Sequence, residues 1–290
     1  MFKLPTAHTP ILYQGITSEL GTIHTERALA YGGNIVAGTA RNKNIHEYQG
    51  IPIFSSVREA VRKTKPVISV IFSSPARALS DVEEAIRAKI PMIICTTEHV
   101  PLHDSLKMIS LARKNGITLI GPSSPGIVRV EACLAGSIPA HLFRKGNVGI
   151  IGRSSSLIYE AVQQLSEVGL GVSTCVSLGA SPLVGTSFKP VLESFLADKD
   201  TQIILAIGQL TGEFEIELAH AYKQSRRRKP LIVYIPGQTE QGMLHTLLPS
   251  SIRPFLSQLI TDKKNILEKS GAIWISDALT IGQTVRDYLK

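Results

Sequence analysis

Cysteine is scarce in this chain and follows no pattern. Its 290 residues hold three, Cys95, Cys133 and Cys175, far apart and with no CxxC pair. That excludes a disulfide framework and a thiolate metal knot, and fits reduced, mostly buried thiols. Long apolar runs are missing as well. Stretches such as TQIILAI and PLIVYI have strand length, far short of the roughly 18 residues of a membrane span. The opening MFKLPTAHTP carries no apolar segment followed by a small-residue cleavage site, so no secretory signal and no membrane partner are expected, and the chain is expected to be cytoplasmic. Acidic residues fall short of basic ones, 23 against 31, for a net charge of +8. Nucleic acid, a polyanionic small ligand and surplus surface lysine would each account for that excess. The one dense basic run, KQSRRRKP at 223–230, has no interleaved aromatic residues, which a single-strand platform would need. It stands where a helix should end, and cations there complement the helix dipole. No nucleic-acid partner is expected. Nor is a metal site: His99 and His103 are four apart, but Pro101 between them breaks any shared helical face.

What the sequence does have is rhythm. Strand-like apolar runs alternate with helix-length amphipathic segments almost throughout, each bounded by Ser, Asp, Gly or Pro. The first half reads PILYQGI, a helix from about Glu19 to Tyr31, NIVAG, then further helix–strand pairs to ITLIG; the rhythm restarts at NVGIIG. Such βαβα alternation predicts parallel sheets covered on both faces. The fold class expected is α/β, with two doubly wound parallel-sheet domains at 1–142 and 143–290.

In such sheets ligands bind outside the carboxyl ends of the strands, near helix N-termini. The first turn, QGITSELG, offers Gly15 for a tight turn, Thr17 and Ser18 as hydroxyl donors, and the free N–H groups of a helix start. A well-capped βα turn explains it equally. An NAD-binding fold usually ends its second strand on Asp or Glu; here that position offers Arg41 and Lys43, which favours a ligand carrying an extra phosphate, such as coenzyme A or NADP. CTTEHVP and GPSSPG, each after an apolar strand, suit a binding crevice or a plain strand-end turn. In GIIGRSSSLIYEAV, Ser154, Ser155 and Ser156 open a helix. One of them is an ordinary N-cap; three together point to an anion site.

QGITSELGTIHTERALAYG, GIPIFSSVREAV, TEHVP, GPSSPG, GRSSSLIYEAV and GVSTCVSLGASPLVGTSF occur in that order, and with these the chain resembles the succinyl-CoA synthetase α-subunit family nearly end to end. The resemblance implies a Rossmann-like CoA-binding domain followed by a flavodoxin-like ligase domain. It also implies a separate ATP-grasp β subunit that brings NTP and Mg2+, and a small carboxylic acid, succinate, as substrate. In the family reaction a histidine of the α subunit is phosphorylated, the phosphoryl group passes to succinate, and the CoA thiol then displaces it. Carried over by position, the CoA contacts fall at Thr17, Ser18, Glu19 and Leu20, at Lys43, and at Thr96, Thr97 and Glu98. Tyr159 falls on the carboxylate site, and Ser123 and Ser124 stand where the family usually has Asn and Cys.

The phosphoryl chemistry departs from the family. The phosphohistidine of the family's GHAGA turn falls, without gaps, on Leu248; His245 lies three residues earlier, between Leu244 and Thr246. The glutamate that holds the imidazole becomes Gln209, and an amide fixes tautomer and ring charge poorly. Ser155 replaces a glycine, Ser181 an aspartate. His245 is then a phosphoryl acceptor after a local loop shift, a plain loop histidine, or a substrate contact in a changed site. Three functions remain open: the α-like component of a succinyl-CoA ligase, a catalytically impaired CoA-binding paralogue with a regulatory or scaffolding role, and an NADP-dependent oxidoreductase.

Overall fold

The computed structural model describes residues 2–42, 44–237 and 253–289. Lys43 and His245 lie outside them. The chain divides into two compact units: residues 3–140 with 176–186, and residues 141–175 with 187–290 and the first two residues.

In the first unit the elements run β1 (Ile11–Gln14), α1 (Glu19–Ala30), β2 (Ile35–Thr39), β3 (Glu47–Tyr48), β4 (Ile51–Phe54), α2 (Val57–Thr64), β5 (Ile68–Ile71), α3 (Pro75–Arg87), β6 (Met92–Cys95), α4 (Leu102–Lys114) and β7 (Thr118–Ile120). The sheet order is β3-β4-β2-β1-β5-β6-β7. The chain winds outward in both directions from β1, the doubly wound pattern. Its pairs are parallel except β3 with β4. All four residues of β1, β5 and β6 are buried, as helices on both faces require. Each fully buried Ile, Leu or Val contributes roughly 1.5–3 kcal/mol.

Two antiparallel pairs depart from the expected parallel pattern. Gln49 and Gly50, both at positive φ (52° and 76°), close the β3–β4 hairpin with the backbone hand that suits strand twist. A second hairpin, β8 (Gly126–Arg129) with β9 (Cys133–Gly136), follows GPSSP. Its strands were not foreseen, because Gly, Arg and Glu interrupt the apolar alternation.

The second unit runs β10 (Lys145–Gly152), α5 (Ser155–Glu167), β11 (Val172–Ser177), α6 (Phe188–Ala197), β12 (Ile203–Ile207), α7 (Phe214–Gln224), β13 (Leu231–Tyr234), α8 (Arg253–Ser270), β14 (Ile273–Ile275) and α9 (Ile281–Tyr288). These strands stand in the order β14-β13-β12-β10-β11. The direction of winding reverses between β10 and β12, which are parallel and pair Gly152 with Ile207.

Part of the basic run is structural. Arg228 donates to the carbonyls of Tyr222 and, at 3.0 Å, Lys223 at the end of α7. The Lys229 ammonium donates to Phe195 O at 2.7 Å and to Asp198 O at the end of α6. These cations satisfy carbonyls that helix ends leave without partners.

One ion pair is fully enclosed. Lys263 Nζ lies 2.7 Å from Glu215 Oε2, with the two side chains 0% and 1% exposed. Lys263 also donates to Gln209 O at 3.0 Å, and Glu215 Oε1 accepts from Gln209 N–H at 2.8 Å. Both polar groups of one peptide segment are thus held by opposite charges. Removing one partner strands the other charge in the core. Lys263→Met is expected to lower unfolding free energy by about 3–5 kcal/mol, with Lys263→Met/Glu215→Leu recovering much of the loss. Urea unfolding followed through Trp274, the single tryptophan, which lies on β14 of the same unit, reads this directly.

Candidate functional site

The carboxyl ends of β2, β1, β5 and β6 carry a line of three cavities. The first, about 500 Å³, lies between the turn after β1 and the loop after β2, with Arg41 and Arg77 on its walls and Asp81 and Glu84 deeper in. The second, about 600 Å³, runs past Glu19, Leu20 and His24 of α1 to Thr96–His99. The third, about 390 Å³, lies between Thr97–Val100, Ser123 and Ala180–Pro182. The first two share Ser18, Phe72, Ser73 and Ser74. The second and third share Thr97, Glu98 and His99.

The turn after β1 is closed by close backbone approach. Gly15 sits at φ +76°, where a Cβ would lie 2.5 Å from Phe72 O; a Cβ on Gly21 would lie 2.0 Å from Gly15 O. Only glycine leaves the start of α1 this near the sheet. Ser18 is the N-cap of α1, accepting from Gly21 N–H at 3.0 Å. Its hydroxyl proton goes to Phe72 O at 3.1 Å.

The hydroxyls expected to meet a ligand therefore largely serve the fold. Thr96 donates to Ile71 O at 2.7 Å and Thr97 to Ser73 O at 2.9 Å. Ser124 is 1% exposed; its Oγ donates to Ser177 O at 2.6 Å and accepts from Gly126 N–H at 2.9 Å. Ser123, by contrast, lines the third cavity at φ +59°. Thr17, Glu19, Leu20 and Glu98 also stand on the cavity walls, with Leu20 59% exposed.

Four residues that the sequence reading did not assign to a site belong to this crevice. Ser73 carries a buried Oγ with no hydrogen-bond partner and lines both the first and second cavities. Arg77 reaches Asp81 Oδ1 at 3.3 Å through one nitrogen. His24 stacks on Phe72 with ring centroids 5.4 Å apart, and also lines the second cavity. Burial lowers its pKa and the nearby Arg27 charge lowers it further. His99 stands at φ +55° on both the second and third cavities. The signal for Arg77 was the charge itself, two residues after a helix-opening proline; for Ser73 there was none.

The second unit gathers a different group at its reversal point. Ser154 is the N-cap of α5, its Oγ accepting from Leu157 N–H at 3.4 Å, and Ser155 and Ser156 form the first helical turn. Arg153 donates its backbone N–H to Ile207 O at 3.1 Å. Its side chain is 4% exposed, with the guanidinium 5.2 Å over the Phe214 ring. Burial pulls the Arg153 pKa down, and the Glu215 carboxylate offsets part of that shift. Gly208 N–H donates to Tyr234 O at 2.9 Å, so Gln209 leaves the sheet between the ends of β10 and β13. Tyr159, on α5, is half-buried, and burial raises its phenol pKa. The N-terminus of α5, the buried Arg153 and Gln209 each follow the end of one of two adjoining strands, β10 and β12, and a helix N-terminus there suits an anion. Among the described residues no cluster of three or more His, Cys, Asp or Glu could hold a metal, and no helix is long and apolar enough to cross a membrane.

Residues 6–99 match the CoA binding domain family, and residues 145–248 the succinyl-CoA ligase like flavodoxin domain family. The α subunit of ADP-forming succinate–CoA ligase from Aquifex aeolicus is 36% identical, covering 100% of this chain and 95% of the relative. A second α subunit of that name from Archaeoglobus fulgidus is 41% identical over 80% of each chain. Among solved structures, ATP citrate lyase from Methanothrix soehngenii, in complex with citrate and coenzyme A, has a TM-score of 0.80 at 21% identity. The match covers 98% of this chain, which spans about half, 50%, of the lyase chain. A dinucleotide-forming acetyl-coenzyme A synthetase from Ca. Korarchaeum cryptofilum has a TM-score of 0.72 at 19% identity, covering 93% of this chain and 58% of that one. These likenesses bear on the fold alone, two α/β units. With 36% identity over its full length to the Aquifex α subunit and matches to both domain families, the chain belongs to the succinate–CoA ligase α-subunit family.

Proposed function

We propose that this chain is the α-like component of a succinyl-CoA ligase, binding coenzyme A along the three linked cavities and joining it to a carboxylic acid, succinate. The observation that carries this reading is the shared walls of those cavities, which make one extended groove with its cations at one end. Coenzyme A is long and flexible, with phosphates at one end and a thiol at the other, so a groove with charge at one end suits it. When bound, it supplies the thiol that carries the acyl group as a thioester. Arg41 and Arg77, with Lys43, would hold the phosphate-bearing end, and the unpartnered Ser73 hydroxyl would bond to the ligand. Glu19, Leu20 and Thr96–Glu98 would wall the middle. Thr17 and Ser18 would shape the turn at the α1 N-terminus, and Ser123 the far end; Ser124 would act only by bracing that loop.

Residues 1–142 would form the coenzyme domain and 143–290 the ligase domain. In the latter, Ser154–Ser156 and Arg153 would receive a phosphoryl group, Tyr159 would face the carboxylate, His245 would carry the phosphoryl group, and Gln209 would take the place of the family's glutamate. An ATP-grasp β subunit would bring NTP and Mg2+, and the pair would work in the cytoplasm, in keeping with three free, buried cysteines. Family membership across the whole chain favours a ligase over an impaired paralogue. An NADP enzyme has no support from the relatives.

Two measurements test this. Arg77→Ala should weaken coenzyme A binding about tenfold, roughly 1.4 kcal/mol, in calorimetric titration. Binding of dephospho-coenzyme A, which lacks the 3′-phosphate and keeps the diphosphate, should change little; equal losses for both ligands would show that Arg77 does not contact the 3′-phosphate. With a β subunit and labelled ATP, the chain should take up acid-labile phosphate that disappears in His245→Gln. Coenzyme binding with no phosphate anywhere on the chain would establish the impaired paralogue instead.

A further inference from the structure

His99 is the residue of the crevice whose backbone is hardest to explain by packing alone. It stands at φ +55°, in the left-handed region, on a segment between β6 and α4. Side-chain-bearing residues are uncommon there, and strained backbone collects at functional sites. Ser123, across the third cavity, is held at φ +59°. Backbone bonds lock these loops together: Ser123 N–H donates to Thr97 O at 3.0 Å, and Ala180 N–H to Ser123 O at 3.1 Å. His99, an exposed residue next to these bonded loops, lines both the second and the third cavity.

The arginines stand at one end of the crevice. Arg41 and Arg77 line the first cavity beside Asp81 and Glu84, whereas the ionisable side chains lining the third are Glu98 and His99 alone among the described residues. A ligand with phosphates at one end and a thiol at the other is thereby oriented with its thiol toward the third cavity. The hydroxyls on that cavity's wall, Thr97, Ser123 and Ser181, are too weakly basic to take a thiol proton. An ordinary thiol, with a pKa of about 8.5, is matched better by an imidazole, at about 6.5, than by a carboxylate, at about 4.3.

We infer that His99 is the proton acceptor for the thiol of the coenzyme, an inference that rests on the crevice reading above. The S–H bond breaks, its proton passes to a neutral imidazole nitrogen, and a thiolate remains paired with the imidazolium. Neither oxidant nor reductant is involved. An imidazole–thiol pair is a general way to raise thiolate content near neutral pH.

The test reads thiol reactivity without turnover. Coenzyme A is saturated with the full-length protein at pH 7 and alkylated with iodoacetamide, and the rate is compared with that of free coenzyme. The protein's own cysteines are at most 1% exposed and do not compete. The wild type should accelerate alkylation about tenfold, the effect of lowering a thiol pKa by about one unit. His99→Gln and His99→Gly should both return the rate to that of free coenzyme, with binding affinity held within about twofold. The glycine variant also relieves the left-handed backbone, so it folds at least as well as the parent. Unchanged acceleration in either variant, or no acceleration in the wild type, would overturn the role of His99 while leaving the crevice reading standing. Absence of coenzyme binding to the wild type would overturn both.

Discussion

The first unit depends on how three successive carbonyls, from the last residue of β5 onward, are satisfied. A parallel strand that leaves its sheet carries backbone acceptors beyond the last ladder bond, and burying them unpaired is costly. Here Ile71 O accepts from Thr96, Phe72 O from Ser18 and Ser73 O from Thr97. The donors come alternately from the loops after β6 and β1, so the strand ends that frame the crevice are stitched to one another. At about 1 kcal/mol net for each such bond, the stabilisation is modest, but the positional constraint is large. Three loops that would otherwise move independently become one surface, and the cavities between them take a definite shape.

The second unit solves a similar problem with charge. Gln209 leaves β12 where the sheet reverses direction, and its peptide N–H and C=O are held by Glu215 and Lys263. Gly208 is pressed against the same carboxylate, with a Cβ there falling 2.6 Å from Glu215 Oε1. The backbone at 209 is thus fixed from behind, independently of which side chain it bears. A glutamate-to-glutamine exchange at this position changes the chemistry presented at the strand end without loosening the support beneath it.

Much of the architecture was legible because parallel strands buried on both faces announce themselves as unbroken apolar runs. ILYQ, ISVI, MIIC and IILAI all proved to be fully buried strands. The β8–β9 hairpin was not legible, since GIVR and CLAG show neither length nor alternation. At the crevice, spacing located the loops but misjudged the roles of their hydroxyls. Ser, Thr and a helix start look alike in sequence whether the oxygen serves a ligand or a neighbouring carbonyl, because the distinction rests on contacts as remote as Ser18 with Phe72. Arg77 is not singled out in the sequence, and His99 is weighed there only as a metal ligand beside His103. The fold places the first on the wall of the first cavity and the second on the walls of the other two. Lys43 and His245 fall outside the described residues.

The three cysteines are 0%, 1% and 0% exposed, and burial pushes Cys95 up to about 11 and Cys133 up to about 12, with Cys175 raised further still. Thioesters exchange with thiolates much faster than they hydrolyse. A chain that holds an activated acyl group near its surface is therefore exposed to self-acylation at any accessible sulfur. Here all three thiols are both protonated and out of reach, so an acyl thioester bound to the chain would meet no competing thiolate from it. The lifetime of such a product is then set by its release and by water.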